Sequence, residues 1–281
     1  MLAIAWFALT WTYQMAPAAP ARPVDAIPAI VQAMRTHQLV ALGEAHDNDQ
    51  LHAFIRDLVR DQTFQDVAND IVVEFGNARY QDIMDKFVGG EDVPYALVRQ
   101  VWENTTAPIH VWDVPIYEQF FRTVRTVNAH LTPEHRLRVV LGDSPIDWDA
   151  VHSREDIRQF ANRDQWATEV IKREVVAKKR RALIVYGGLH LTRPGRSLDG
   201  LLEAEGTEPI FTIWTHTEGD LQALQADVAH WRVPTLVFLR GTPFWALRRS
   251  ESISRLLLRI GRRWECNDSS MRSCTLEIRR P

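Results

Sequence analysis

The sequence predicts an α/β fold: a mainly parallel sheet flanked by helices, with its site at the carboxyl ends of the strands. Three observations predict it. From residue 27 to 190, short apolar runs rich in Val and Ile alternate with segments of helical periodicity, the pattern of parallel strands joined by crossover helices. The interval from Glu44 to Glu74, and again from Asp113 to Asp143, is thirty residues, which fits one βαβ unit. Finally, the apolar runs 39–42 and 182–186 each close on the same pattern, Gly43-Glu44-Ala45-His46 and Gly187-Gly188-Leu189-His190. An imidazole so placed stands on the sheet rim, where open α/β sheets hold their ligands.

Each element has its own reason. Leu2 to Trp11 is nearly free of polar groups and small residues follow at Ala16–Ala21, so residues 1–22 have the look of a secretory leader, although no Lys or Arg precedes the apolar core. Export to the periplasm or the extracellular space is the expectation; a cytoplasmic location is the alternative if this segment is not a signal. The stretch is too short to span a bilayer as a helix. Residues 27–245 should form the α/β domain, with strands at 39–44, 70–75, 109–113, 136–143, 181–187, 209–215 and 235–240. Helix 48–61 carries Leu51, Phe54, Ile55 and Leu58 on one face, with Asp47 or Asn48 as its N-cap. The insertion Gly89–Pro108 holds a short helix that covers the crevice. Helix 115–130 opens on Pro115 and turns Ile116, Phe120, Val124 and Val127 inward. Helix 154–178 has an inward stripe of Ile157, Phe160, Ala161, Asp164, Ala167, Thr168, Ile171 and Val175.

Residues 246–281 form a C-terminal extension in which Arg248, Arg249, Arg255, Arg259, Arg262 and Arg263 surround Leu256-Leu257-Leu258. That pattern predicts an amphipathic helix with a solvated basic face, or else a weak attraction to an anionic membrane surface. Cys266 and Cys274 have a spacing compatible with a disulfide hairpin in an oxidising compartment; two unpaired thiols are the alternative. The net charge of −3 gives no basic footprint for nucleic acid. The expected partner is a small-molecule or peptide substrate, and the oligomeric state is left open.

The chemistry is expected at the strand ends. Read in order, they carry Glu44 and His46, then Glu74, Asp113, Asp143 and His190. Two imidazoles converging with several carboxylates form a metal site, a proton-transfer pair or a salt-bridged network. His46, Glu74 and His190 would make a three-ligand set for Zn, Mn or Fe with one position open to water. Without a metal, His46 or His190 would act as general base while a carboxylate holds its tautomer. Glu74 sits between Ile71-Val72-Val73 and Phe75-Gly76, where an unpaired carboxylate would be costly, so it must have a partner. Asp113 is a helix N-cap or a pocket residue, and Asp143 a turn residue or a pocket residue. Asp164, on an apolar face, should be paired or near the site; Arg163 would clamp a substrate carboxylate or phosphate, or bridge an acid. Trp102, Trp112, Trp148, Trp166 and Trp214 fall near rim or cover segments, as core or as walls of an aromatic pocket. No G-x-S-x-G elbow is present, which disfavours a serine hydrolase of the α/β type.

Taken together, Gly43-Glu44-Ala45-His46-Asp47, Val73-Glu74-Phe75, Arg163-Asp164 and Tyr186-Gly187-Gly188-Leu189-His190 resemble the superfamily that joins ChaN-like haem-uptake proteins, Tiki/TraB proteins and erythromycin esterases. The first motif looks most like the ChaN-like branch. The resemblance implies an α/β fold whose site is built from Glu44, His46, Glu74 and His190, with Arg163 and Asp164 matching an Arg-Asp pair before the last motif strand. It implies either hydrolysis, as in the metal-dependent Tiki proteases and the esterases, or haem binding. The expectation is therefore a hydrolase of esters or amides in which His46, Glu74 and His190 activate water, with or without a divalent metal, and Glu44 assists. The alternative is a non-catalytic binder of haem or another iron compound.

Overall fold

A computed structural model of the chain describes residues 22–107, 111–191, 197–216, 229–238 and 256–259. In order, the elements are β1 (Pro23–Asp25), α1 (Ala26–Thr36), β2 (Leu39–Glu44), α2 (Asp49–Arg60), α3 (Gln62–Gln65), β3 (Asp70–Asn77), α4 (Gln81–Gly89) and α5 (Tyr95–Glu103). They continue with α6 (Pro115–Asn128), β4 (Arg138–Asp143), α7 (Arg154–Arg158), α8 (Arg163–Ile171), β5 (Ala182–Gly187), α9 (Leu198–Ala204), β6 (Phe211–His216), β7 (Thr235–Phe238) and β8 (Leu256–Arg259). The strands form one sheet in the order β1-β7-β8-β6-β2-β5-β3-β4. All pairings from β8 to β4 are parallel; β7 lies antiparallel to both β8 and β1.

The central strands are apolar at nearly every position because both faces are covered. Val40, Leu42, Ile71, Val73, Leu183 and Val185 point to the face packed by α1, α2, α4, α5 and α6. Leu39, Ala41, Val72, Ile184 and Tyr186 point to the other, packed by α8 and α9. A period of two therefore distributes an unbroken hydrophobic run over two cores, as buried parallel strands require. Strand β5 is inserted between β2 and β3 although it follows them in the chain, so the carboxyl ends of β2, β5 and β3 stand side by side. A register irregularity in the β3–β4 pairing between Val73 and Asn77 falls across Glu74 and Gly76, and such bulges re-aim side chains at strand ends.

Three expectations need correction. The strand expected at 109–113 is not found in its described part: 111–113 are a turn leading into α6, where Pro115 fixes the helix entry. The expected helix 154–178 is two helices, α7 and α8, interrupted at 159–162, with α8 running on into a π-helical turn at Lys172–Val176. The capping box of Ser153 and Asp156 nucleates a separate first piece, and Ile157 is exposed instead of packed inward. The triplet Leu256-Leu257-Leu258 lies in β8, paired with β6 and β7, so it is not part of a terminal helix: a continuous apolar triplet suits a strand flanked on both sides. Arg259 ends the same strand, while Arg248, Arg249, Arg255, Arg262, Arg263, Cys266, Cys274 and residues 1–21 of the leader lie outside the described residues. Among the described residues, no helix is long and apolar enough to cross a membrane.

Candidate active site

The three neighbouring strand ends bring the two motif histidines to one acid. At the end of β2, Glu44 is buried, and the chain then turns through Asp47, whose φ of 55° is the left-handed conformation that Asp tolerates better than most residues. That turn folds His46 back so that its Nδ1 donates to Glu44 Oε2. Glu44 Oε1 accepts from His52 Nε2 at 2.9 Å and from the Tyr117 hydroxyl at 3.1 Å. Burial raises the Glu44 pKa, but the hydrogen bonds from His46 and His52 outweigh it and hold the group below its ordinary value. An ionised carboxylate is acceptor-only, so in the neutral form of His46 the proton sits on Nδ1 and Nε2 is the acceptor. The ring is half-exposed, at 44% of its side-chain surface, and Trp112 meets it edge-on with centroids 4.5 Å apart.

In the second half of β3, three residues before its end, Glu74 is loaded with donors. Its Oε1 accepts from Arg163 at 2.8 Å and faces His190 Nε2 at 3.2 Å, and its Oε2 accepts from the Gly187 backbone N–H at 2.7 Å. Burial opposes ionisation, but the hydrogen bond from His190 and the charges of Arg163 and His190 win, taking its pKa to about 2. His190 donates its other nitrogen, Nδ1, to Asp164. Burial would lower its pKa, but its bonds to Asp164 and Glu74 raise it to about 9, so at neutral pH His190 is an imidazolium between two carboxylates. His46 is also raised, its bond to Glu44 outweighing burial, with Glu74 and His190 both close enough to act on its charge.

Gly187 is the floor between the two halves. A Cβ there would lie 2.9 Å from both Glu74 Oε2 and His46 Cε1, and 3.3 Å from His46 Nε2, so only glycine lets the imidazole and the carboxylate close over the strand. Gly142, at the end of β4, plays a similar part behind the site, where a Cβ would stand 2.0 Å from the Tyr186 hydroxyl.

The remaining expected residues fall into place differently. Arg163 bridges Glu74 and, at 3.0 Å, Asp143. Asp143 is buried, which raises its pKa against the pull of Arg163 and Thr106, and both its oxygens accept at 2.5 Å from the Thr106 N–H and hydroxyl. It therefore ties the segment after α5 to the carboxyl end of β4. Asp164 orients His190. Asp113 pairs with Arg99 on α5 at 3.0 Å. Of the tryptophans, Trp112 faces the site, Trp102 stacks on Phe121 in the core and Trp148 is exposed.

His52, Tyr117 and Thr106 are participants the sequence reading misses. His52 stands three and seven residues before Ile55 and Val59 on the buried face of α2, and a histidine on an apolar stripe one turn after a G-E-x-H motif is the signal that points to it. Tyr117 likewise shares a stripe with Phe121 and Val124.

The side chains do not present the three metal donors together. Among the described residues no group of three His, Cys, Asp or Glu stands at metal-holding spacing, and the bonding shows why: both nitrogens of His190 are engaged by carboxylates, and His46 offers only Nε2.

No family model and no curated protein matches the chain. Among solved structures it is similar to a protein of Bacillus cereus, at 10% identity over 86% of this chain and 94% of that one, with a TM-score of 0.53; that likeness shows a shared fold. Lower scores are found for ChaN of Campylobacter jejuni, described with cofacially bound haem (TM-score 0.46, 13% identity, 68% of this chain and 86% of that one). They are also found for the type III effector HopBA1 (0.47, 13%, 72% and 88%).

Proposed function

We propose that the protein is a hydrolase of esters or amides in which His46 is the general base. The observation that supports this is the Glu44–His46 dyad, with Nδ1 held by a buried carboxylate and Nε2 open beside a cation-loaded second carboxylate. In the reaction, His46 Nε2 takes a proton from water as the water attacks the scissile carbonyl, and Glu44 stabilises the imidazolium that forms. The proton on His46 then passes to the leaving alcohol or amine, and no covalent enzyme intermediate is required. No step runs through a metal, because the donor set does not form a three-ligand site. The motif resemblance to the superfamily containing the erythromycin esterases favours the same reaction class.

The test is a panel of activated esters, lactones and peptides assayed with the unaltered protein, His46→Ala and Glu44→Gln, each with and without chelator. Turnover lost in both variants and unaffected by chelator is expected; turnover that survives His46→Ala would overturn the assignment. A second reading rests on the same half-exposed imidazole beside Trp112: His46 Nε2 would hold a haem, which would supply redox or storage chemistry when bound. In that case a haem absorbance shift, abolished by His46→Ala, would accompany an inactive panel.

A further inference from the structure

A cavity of about 700 Å³ lies between α2, α3 and α6, away from the rim. Helix α2 leaves the carboxyl edge of the sheet after β2 and returns toward the amino edge, and α6 starts beside Trp112 and packs along it. The groove is lined by the later turns of both helices, and so stands apart from the His46 and His190 cluster. Its volume falls within the range of about 300–1,000 Å³ usual for small-ligand pockets.

The lining has one chemical character. Arg56, Arg60 and Arg122 face it together with His130, three glutamines, two threonines and Val127, and among these described lining residues there is no carboxylate. The surrounding acids act from outside: Asp57 holds Arg60 at 3.1 Å and Glu118 holds Arg122 at 2.6 Å. Arg56 is different. It is half-buried, and its Nη1 is shielded from solvent with no hydrogen-bond partner among the described residues. Burial, together with the like charge of Arg60, lowers its pKa against the weaker pull of Asp57 and Asp49. A buried guanidinium nitrogen without an acceptor is costly, and a rotation of the half-buried Arg56 side chain into the groove would let an anion accept from it and remove that cost.

We propose that this groove binds a small, multiply charged anion bearing a phosphate group, with Arg56 as its central fork and Arg60 and Arg122 at its margins. Three guanidinium groups with only one apolar side chain beside them suit oxyanion recognition better than an apolar ligand. The site does not depend on the hydrolase reading.

Calorimetric titration of the full chain with inorganic pyrophosphate, at low and at physiological salt, tests it. Saturable binding is expected, weakened about tenfold or more by Arg56→Gln, several-fold by Arg56→Lys, which keeps the charge but loses the planar fork, and unchanged in His46→Ala. Arg122→Gln, at a half-exposed position, gives an independent reading should Arg56→Gln disturb folding, and should weaken binding several-fold. Absence of pyrophosphate binding at 10 mM, or equal affinity in the Arg56 and Arg122 variants, would overturn the proposal. So would Arg56-dependent sedimentation with phosphatidylglycerol vesicles but not phosphatidylcholine vesicles in the absence of any pyrophosphate binding, which would make the groove a membrane-contacting surface instead.

Discussion

The two G-x-x-H motifs end on neighbouring parallel strands, yet their histidines have opposite electrostatic roles. His46 has one nitrogen held by a single buried carboxylate and the other open, with 44% of its side chain exposed. His190 has both nitrogens engaged, by Asp164 and Glu74, with 22% exposed, and is charged at neutral pH. Identical local patterns thus give an acceptor on one side of Gly187 and a cation on the other. The difference comes from long-range partners: α2 and α6 surround Glu44 with hydrogen-bond donors, while α8 supplies His190 with an acid and Glu74 with a guanidinium. Environment, and not residue type, leaves one histidine with an open nitrogen and makes the other a paired cation.

The largest effect that would break this contrast is in paired alanine variants. His46→Ala should lower turnover by about 10²–10⁴-fold, the usual range for a positioned general base. Its melting temperature should hardly move, because Glu44 keeps His52 and Tyr117. His190→Ala should lose activity and also stability, by about 3–5 kcal/mol, since it leaves two carboxylates without their shared cation. Kinetics and thermal melts on both variants check this, and equal stability losses would remove the distinction between the halves.

Next in size is Gly187→Ala. The added methyl would meet Glu74 Oε2 and His46 Cε1 at 2.9 Å, forcing the base and the acid apart. A displacement of about 1 Å costs on the order of 10² in rate, so kcat should fall about a hundredfold in a protein that still folds. A smaller effect is expected for His52→Phe, which removes one of the three donors to Glu44 and loosens the carboxylate that orients His46. Turnover should fall about tenfold with KM unchanged, alongside a stability loss of about 1–3 kcal/mol. A KM effect without a kcat effect would show that His52 acts on substrate and not on the dyad.

How much of this was legible in the sequence follows from the range of the interactions. Strands β2, β3, β4, β5 and β6 were readable because burial on both faces leaves each an apolar run, and the convergence of Glu44, His46, Glu74 and His190 because parallel strands put their carboxyl ends on one edge. Roles were not readable. Asp164 and Arg163 sit next to each other in the chain but serve different partners, His190 and the Glu74–Asp143 pair, and only the docking of α8 against β3, β4 and β5 decides that. The strand at Leu256–Leu258 was hidden by its arginine neighbours, whose spacing imitates a helix face. Asp113 carried the same strand-end signature as Asp143, but residues 111–113 form a turn that directs it toward Arg99.

The pH dependence of stability sharpens the comparison most finely. Glu74 is depressed from 4.5 to about 2, so its stabilisation is complete above pH 4.5 and is lost as pH falls toward 2. His190 is raised from 6.5 to about 9, so its stabilisation is complete below pH 6.5 and is lost as pH rises through 9. The two groups share one ion pair, to which Asp164 adds on the His190 side and Arg163 on the Glu74 side, and their contributions overlap in a plateau between about pH 4.5 and 6.5 with a fall on each side. His190→Gln should flatten the alkaline fall between pH 6.5 and 9 in melts followed by circular dichroism. His46→Gln should change that slope less: the His46 pKa is raised too, but the half-exposed ring is screened by solvent. If both variants flattened the curve equally, the two histidines would hold the same kind of charge, and the assignment of one as base and the other as fixed cation would fail.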